Sequence, residues 1–218
     1  MKIFIVSPHP DDAEYGCGGL TLKCIKAMHE VTYLVNIESS NEKDIFYTKR
    51  RKEEAHKVHS IGVNVMEFSC KENNTQLADL LCEFRPDILL NVESDDFNET
   101  HRQVSRFVDL SIERARLRET GFDLPALGYY ETYSTEAFSP NIIFDVTKEY
   151  VGALELLKKH EEGIKTLPSL VYSFQLKHQI RGFEGSILYG EGINFCRKNQ
   201  FLWTKNVYIL NRFIQTLA

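Results

Sequence analysis

Two short polar segments carry residues whose types and spacing could do chemistry. The first, Pro8-His9-Pro10-Asp11-Asp12-Ala13-Glu14, follows an apolar run and leads into three glycines; the second runs from Glu93 through Asp95, Asp96, Asn98 and Thr100 to His101. A catalytic zinc takes three protein ligands from imidazole nitrogen, carboxylate oxygen or thiolate and leaves a fourth position open for water. His9, Asp12 and His101 supply such a set. Asp11, next to a ligand, is the candidate general base, and the chemistry would be hydrolysis by activated water. Because zinc brings the pKa of water to about 7, Asp11 needs no unusual pKa for that task. Two other readings compete. Asp and Glu suit helix N-termini, so the acids could be caps, but one cap suffices and two adjacent aspartates exceed that need. Gly16-Cys17-Gly18-Gly19 could open a dinucleotide turn, yet the spacing departs from G-x-G-x-x-G and the acids ahead of it would repel a pyrophosphate.

The elements that must position these segments follow from hydrophobic periodicity. Lys2–Ser7 (KIFIVS) reads as a strand feeding a Pro- and Gly-rich loop. A helix is expected over about Gly19–Glu30, from Leu20, Cys24, Ile25 and Met28, and Val31–Ile37 reads as a second buried strand. Helices over about Ile45–Ser60 and Gln76–Phe84 alternate with strands near Val63–Phe68 and Asp87–Val92. A helix over about Arg102–Glu119 follows, then strand-like Leu127–Thr132 and Asn141–Val146, and a mostly helical C-terminal third. This alternation predicts an α/β, Rossmann-like, doubly wound and mainly parallel sheet flanked by helices. In the order 3-2-1-4-5, strands 1 and 4 are neighbours at the point where the order reverses, so the two polar segments should meet outside their carboxyl ends.

Composition narrows the class. With 218 residues, 43% hydrophobic and 26% charged, the chain fits one globular domain, residues 1–218. A net charge of -5 gives no basic footprint for nucleic acid or an anionic membrane. The N-terminal apolar run is too short for a secretory segment and no later run approaches a membrane span, so the expected address is cytoplasmic. Five cysteines, widely spaced and without a C-x-x-C pair, read as reduced thiols, with Cys17 inert packing beside the loop.

The string Pro8-His9-Pro10-Asp11-Asp12-Ala13-Glu14-Tyr15-Gly16-Cys17-Gly18-Gly19 closely resembles the opening motif of the LmbE-like (PIG-L) family of zinc-dependent N-deacetylases. Arg51 and Glu54 look like that family's Arg-x-x-Glu helix, Phe84-Arg85-Pro86-Asp87 like its lead into the fourth strand, and Arg181-Gly182 through Tyr189-Gly190-Glu191 like its later R-G…Y-A-E segment. The resemblance implies a Rossmann-like fold and removal of an N-acyl, usually N-acetyl, group from a small amino-sugar derivative. It implies His9, Asp12 and His101 as Zn2+ ligands, Asp11 as base and Arg51 as a contact for substrate hydroxyls. Tyr129, Tyr130 and Tyr133 follow a strand whose end could line the pocket, with Tyr130 the candidate substrate contact; core packing explains them equally, as it does Phe195 and Trp203.

The departures are specific. Where the family commonly has His-x-Asp-His, this chain has Asn98-Glu99-Thr100-His101. Asn98 can donate a hydrogen bond to an oxyanion or hold Asp11 but carries no positive charge. The family's His-x-Ser-Gln stretch is missing after His160, which puts His160 in doubt as a site residue. His29, His56, His59 and His178 have no ligand spacing to the metal segments and read as surface or packing histidines. Two His and one carboxylate also describe an Fe2+ facial triad, so iron in the same site stays open. So do an amidase acting on a thiol conjugate, a degenerate member that keeps the metal without turnover, and assembly as a homo-oligomer.

Overall fold

The computed structural model describes residues 1–37, 45–71, 75–195 and 203–217. Five parallel strands form the first part of the sheet: β1 (Lys2–Ser7), β2 (Glu30–Asn36), β3 (Asn64–Phe68), β4 (Ile88–Val92) and β5 (Ala126–Tyr130). Two further strands, β6 (Ile142–Asp145) and β7 (Gly190–Phe195), complete the order β3-β2-β1-β4-β5-β7-β6. The first five follow the expected 3-2-1-4-5 order. β7 was not expected: it lies antiparallel between β5 and β6, with Tyr130 opposite Ile193 and Ile142 opposite Ile193 on its other edge.

The central strands are apolar along their length because helices cover both faces. All five residues of β4 are buried, as are five of the six in β1. Alternation in β1 sends Ile3 and Ile5 to one face, where they pack with Leu20 and Cys24 of α1 (Asp12–Lys26) and with Ala55 of α2 (Ile45–Ala55). Phe4 and Val6 face the other side, against Leu77 and Leu81 of α3 (Thr75–Phe84) and Val104 and Val108 of α4 (Glu99–Arg118). Burying each such side chain stabilises the fold by about 1.5–3 kcal/mol. In the C-terminal third, α5 (Tyr150–Lys158) packs on α1, α6 (Glu161–Thr166) against α2, α7 (Leu170–Gly185) on α6, β6 and β7, and α8 (Trp203–Leu217) against β5. Phe195 packs in the core beside Phe144 and Phe213; Cys196 and the side chain of Trp203 lie outside the described residues.

α1 begins at Asp12, well before the expected start near Gly19. It is two helical segments joined at a kink, since Cys17 leaves helical geometry with φ -134° and ψ 18°. Glu191 of β7 offers its carboxylate to the backbone N–H groups of Gly19 (2.8 Å) and Leu20 (2.7 Å), which the kink deprives of helical acceptors. The glycines serve close packing rather than a nucleotide turn: a Cβ at Gly16 would lie 2.1 Å from the Tyr130 ring, and one at Gly19 2.7 Å from Val146. α2 ends at Ala55 and tightens into a 3-10 helix over His56–Ile61, where a continuous helix to Ser60 was expected. No helix among the described residues is long and apolar enough to cross a membrane. Cys17, Cys24 and Cys82 are free thiols, and burial pushes the Cys17 thiol well above its usual range, out of reach of nucleophilic chemistry.

Candidate active site

The carboxyl ends of β1, β4 and β5 lie side by side, so the segments that leave them converge at one edge of the sheet. His9 comes from the turn between β1 and α1, and Asp12 is the first residue of α1. His101 comes from the first turn of α4, which starts at Glu99 with Asn98 as its N-cap. His9 Nδ1 lies 3.0 Å from Asp12 Oδ2 and 3.0 Å from His101 Nε2, and His101 Nε2 lies 3.1 Å from Asp12 Oδ2. These three residues are the candidate metal group among the described residues. Donor atoms on a tetrahedral ion at about 2.0–2.2 Å stand about 3.3 Å apart, so the triangle fits zinc to within a few tenths of an ångström.

The chemistry of the donors agrees with that fit. His101 Nδ1 donates to Asp96 Oδ2 at 3.0 Å, which leaves the Nε2 lone pair aimed at Asp12 and His9. Asp12 Oδ2 is oriented by the His9 backbone N–H at 2.8 Å. Two imidazole nitrogens and a carboxylate oxygen drawn to one point call for a cation between them. The electrostatics favour a positive charge at this point, which a proton or a metal ion can supply: burial works against charge on His101, yet Asp12 and Asp96 more than offset it and push its pKa up to about 10. Burial opposes ionisation of Asp12 as well, and the imidazoles of His101 and His9 hold its carboxyl far below the usual range.

Asp96 was not singled out by sequence. Its buried carboxylate also accepts from Thr132 Oγ1 (2.8 Å), Thr135 Oγ1 (3.0 Å), Ser134 Oγ (2.6 Å) and the Asn98 backbone N–H (2.8 Å). Such a carboxylate behind a ligating imidazole fixes its tautomer and ring direction. The available signal was an acid five residues ahead of a candidate ligand on the same strand-end loop.

Asp11 stands at the N-cap of α1 but makes no capping hydrogen bond, which removes the capping reading for it. Its carboxylate is instead gripped by Arg51 of α2, Nη2 to Oδ1 at 2.8 Å and Nη1 to Oδ2 at 3.2 Å, with both side chains about nine-tenths buried. Burial alone would raise its pKa; the guanidinium reverses that and keeps it below the usual carboxylate range. Arg51, expected to face substrate hydroxyls, thus spends its fork on Asp11. Gly163 of α6 makes room for the pair, since a Cβ there would lie 2.3 Å from Arg51 Nη1 and 2.4 Å from Asp11 Oδ2. His160, placed in doubt by its sequence context, is fully buried behind Asp11. Its Nε2 is 3.0 Å from Glu14 Oε1, at ion-pair distance but without hydrogen-bond alignment.

Tyr130 corrects another expectation. It is fully buried beneath the loop, its hydroxyl donating to the Val6 carbonyl and its ring against Gly16, so it props up the motif and does not face a substrate. Strand alternation sends Tyr129 to the opposite face, where it donates to Asp109 Oδ1 at 2.8 Å. The tyrosine at the site is Tyr133, partly exposed, with its ring 5.9 Å from His101 and 6.3 Å from Tyr15, edge to face in both cases. Asn98 uses Oδ1 to cap the Thr100 N–H at 2.9 Å and donates Nδ2–H to the Tyr133 hydroxyl oxygen at 3.3 Å. His178 is a packing residue, buried between Phe174 and Glu191.

Comparison with known proteins agrees with this architecture. A conserved protein from Thermus thermophilus superposes with a TM-score of 0.73 at 18% identity, over 88% of this chain and 93% of that one. The N,N'-diacetylchitobiose deacetylase from Pyrococcus horikoshii gives 0.73 at 17% identity, over 89% and 83%. The 4-carboxy-2-hydroxymuconate hydratase from Pseudomonas putida gives 0.73 at 18%, over 91% and 98%. No curated protein matches the sequence. The model of the PIG-L family, GlcNAc-PI de-N-acetylase, matches residues 4–112, a span that holds His9, Asp11, Asp12, Asp96 and His101. With half of its length matched there and every strand of that half in place, the chain belongs to the PIG-L family.

Proposed function

We propose that this protein is a metal-dependent hydrolase that removes an N-acyl group, N-acetyl by preference, from a small amino-sugar derivative. The observation that carries the reading is the triangle of His9 Nδ1, Asp12 Oδ2 and His101 Nε2, backed by Asp96 and bordered by a held carboxylate, Asp11. Zinc, or iron in the same set, would supply Lewis acidity that activates water and polarises the amide carbonyl.

The chain's own residues do the rest. Asp11, kept ionised by Arg51, takes a proton from the attacking water as the new C–O bond forms, then hands it to the nitrogen as the C–N bond breaks. The products are a carboxylate and an amine. Tyr133 supplies the donor that the missing family histidine would have given. Because Asn98 Oδ1 is committed to Thr100, its Nδ2–H must point at the Tyr133 oxygen, which leaves the phenol proton for the carbonyl oxygen as it gains charge. Burial raises the Tyr133 pKa, so the group stays protonated at neutral pH. Asn98 in this reading acts through Tyr133.

Fold alone does not select this reaction, as the hydratase among the structural neighbours illustrates. The test is release of acetate by the zinc-loaded protein from a panel of free, nucleotide-linked, lipid-linked and thiol-conjugated N-acetylglucosaminides. Turnover of one class names the substrate. Silence across the panel, with the metal bound, overturns the proposal in favour of a metal-binding member without this activity.

A further inference from the structure

We infer that the outer face of α7 is a docking surface for a second copy of this chain, which meets it α7 against α7 about a two-fold axis. Tyr172, Leu176, Ile180 and Phe183 follow one another at spacings of four, four and three residues, the rhythm of one helix face. They are 63%, 39%, 55% and 87% exposed, and Leu188, just past the helix, is 64% exposed. At 1.5 Å per residue the stripe runs about 16 Å along α7.

Charge is missing from this face because the helix turns it inward. Between Leu170 and Phe183 the basic side chains are Lys177, His178 and Arg181, and all three are buried. Lys177 donates to the Tyr15 and Gly16 carbonyls at 2.7 and 3.2 Å, and Arg181 grips the Glu131 carboxylate at 2.6 and 2.7 Å. The exposed positions are Tyr172, Leu176, Gln179, Ile180 and Phe183, without a charge among them. A helix face that meets only water is ordinarily polar. α4 has such a face, with Arg102, Arg106, Glu113 and Arg116 exposed along it.

Area and charge select a second copy as the occupant. With about 200 Å² for each large side chain fully exposed, the five apolar residues hold roughly 600 Å², so two copies cover about 1,200 Å², the size at which specific interfaces begin. The chain carries a net charge of -5, so two copies repel in general and approach best where neither presents charge. A two-fold axis across the stripe sets the helices antiparallel and makes the patch complementary to itself. Glu184, at the C-terminal end of one α7, then lies by the N-terminal turn of the other, where an anion is favoured. A membrane surface fits less well, since helices that lie on lipid carry Lys and Arg beside their apolar face, and α7 buries its basic groups against the fold. Docking would hold from outside the helix whose Lys177 closes, from inside, the carbonyl end of the turn that carries Asp12.

The experiment is sedimentation equilibrium of the full chain over about 1–100 μM, with flotation against mixed phosphatidylcholine and phosphatidylserine vesicles alongside. The expected result is a monomer–dimer equilibrium with a dissociation constant of about 1–10 μM and no protein carried by the vesicles. Ile180→Glu and Phe183→Glu, which place a charge inside the seam, should each raise that constant at least about 100-fold with the circular dichroism spectrum unchanged. Leu117→Glu puts the same charge on an exposed apolar side chain of α4 and should leave the constant within about twofold. A parent that stays monomeric to about 100 μM overturns the inference, whether or not it floats with the vesicles, and so does dimerisation that both α7 variants retain.

Discussion

Gly163→Ala reverses the sign expected from helix propensity, which makes it a sensitive probe of the Asp11–Arg51 pair. In the interior of α6, replacing Gly by Ala should stabilise the protein by about 1 kcal/mol from backbone entropy alone. The geometry opposes this. The added methyl would stand 2.3 Å from Arg51 Nη1 and 2.4 Å from Asp11 Oδ2, so the fork must open or α6 must move. Breaking a buried ion pair so that its charges are left unmatched costs about 3–5 kcal/mol. Set against the propensity gain, the variant should be less stable by about 2–4 kcal/mol. For a domain of this size that lowers Tm by roughly 5–15 °C. Urea unfolding of parent and variant, followed by circular dichroism, measures the difference. A variant as stable as the parent, or more so, would show that the pair is not held as tightly against α6 as the structure has it.

Asp96→Asn keeps the size of the side chain but loses the charge that orients His101. Metal affinity should fall about 10–100-fold by competition with a chelator, with little change in circular dichroism. Tyr133→Phe should lower kcat by roughly 10²-fold while KM and metal content hold, because the lost donor acts on developing charge. Glu191→Gln tests the brace under the α1 kink. Burial opposes ionisation of Glu191, but His178, Lys177 and the Gly19 N–H hold its folded pKa below the usual 4.5. A depressed carboxylate pKa contributes stability above the unfolded value that is lost as pH falls through the folded one. The gap between parent and Glu191→Gln should therefore be full at pH 6–7 and shrink below about pH 4.5, as read by denaturant midpoints across that range.

Much of this arrangement was legible in sequence because it rests on periodicity and on strand ends. The buried runs of β1 and β4 fix where His9, Asp12 and His101 leave the sheet, and the 3-2-1-4-5 order makes them meet. What escaped depends on contacts between distant residues. β7 carries two glycines and pairs antiparallel with β5 on one edge and β6 on the other, so its own pattern says little. The early start of α1 was hidden by glycines that usually mark turns; here Tyr130 and Val146 occupy the space their side chains would need. Tyr130 and Tyr133 differ by three residues, yet one lies under the loop and the other beside His101, a choice set by where β5 ends. That Arg51 would grip Asp11, and that Gly163 would clear room for them, is a matter of side-chain reach across three separate elements.

The most direct measurement of the central claim compares the parent with Asp11→Asn, both loaded with Zn2+, for metal content and for acetate release from the N-acetylglucosaminide the parent turns over. The account predicts one equivalent of zinc at the His9, Asp12 and His101 site in both proteins and acetate from the parent alone. Equal turnover by the two proteins, or loss of that zinc from Asp11→Asn, would contradict it.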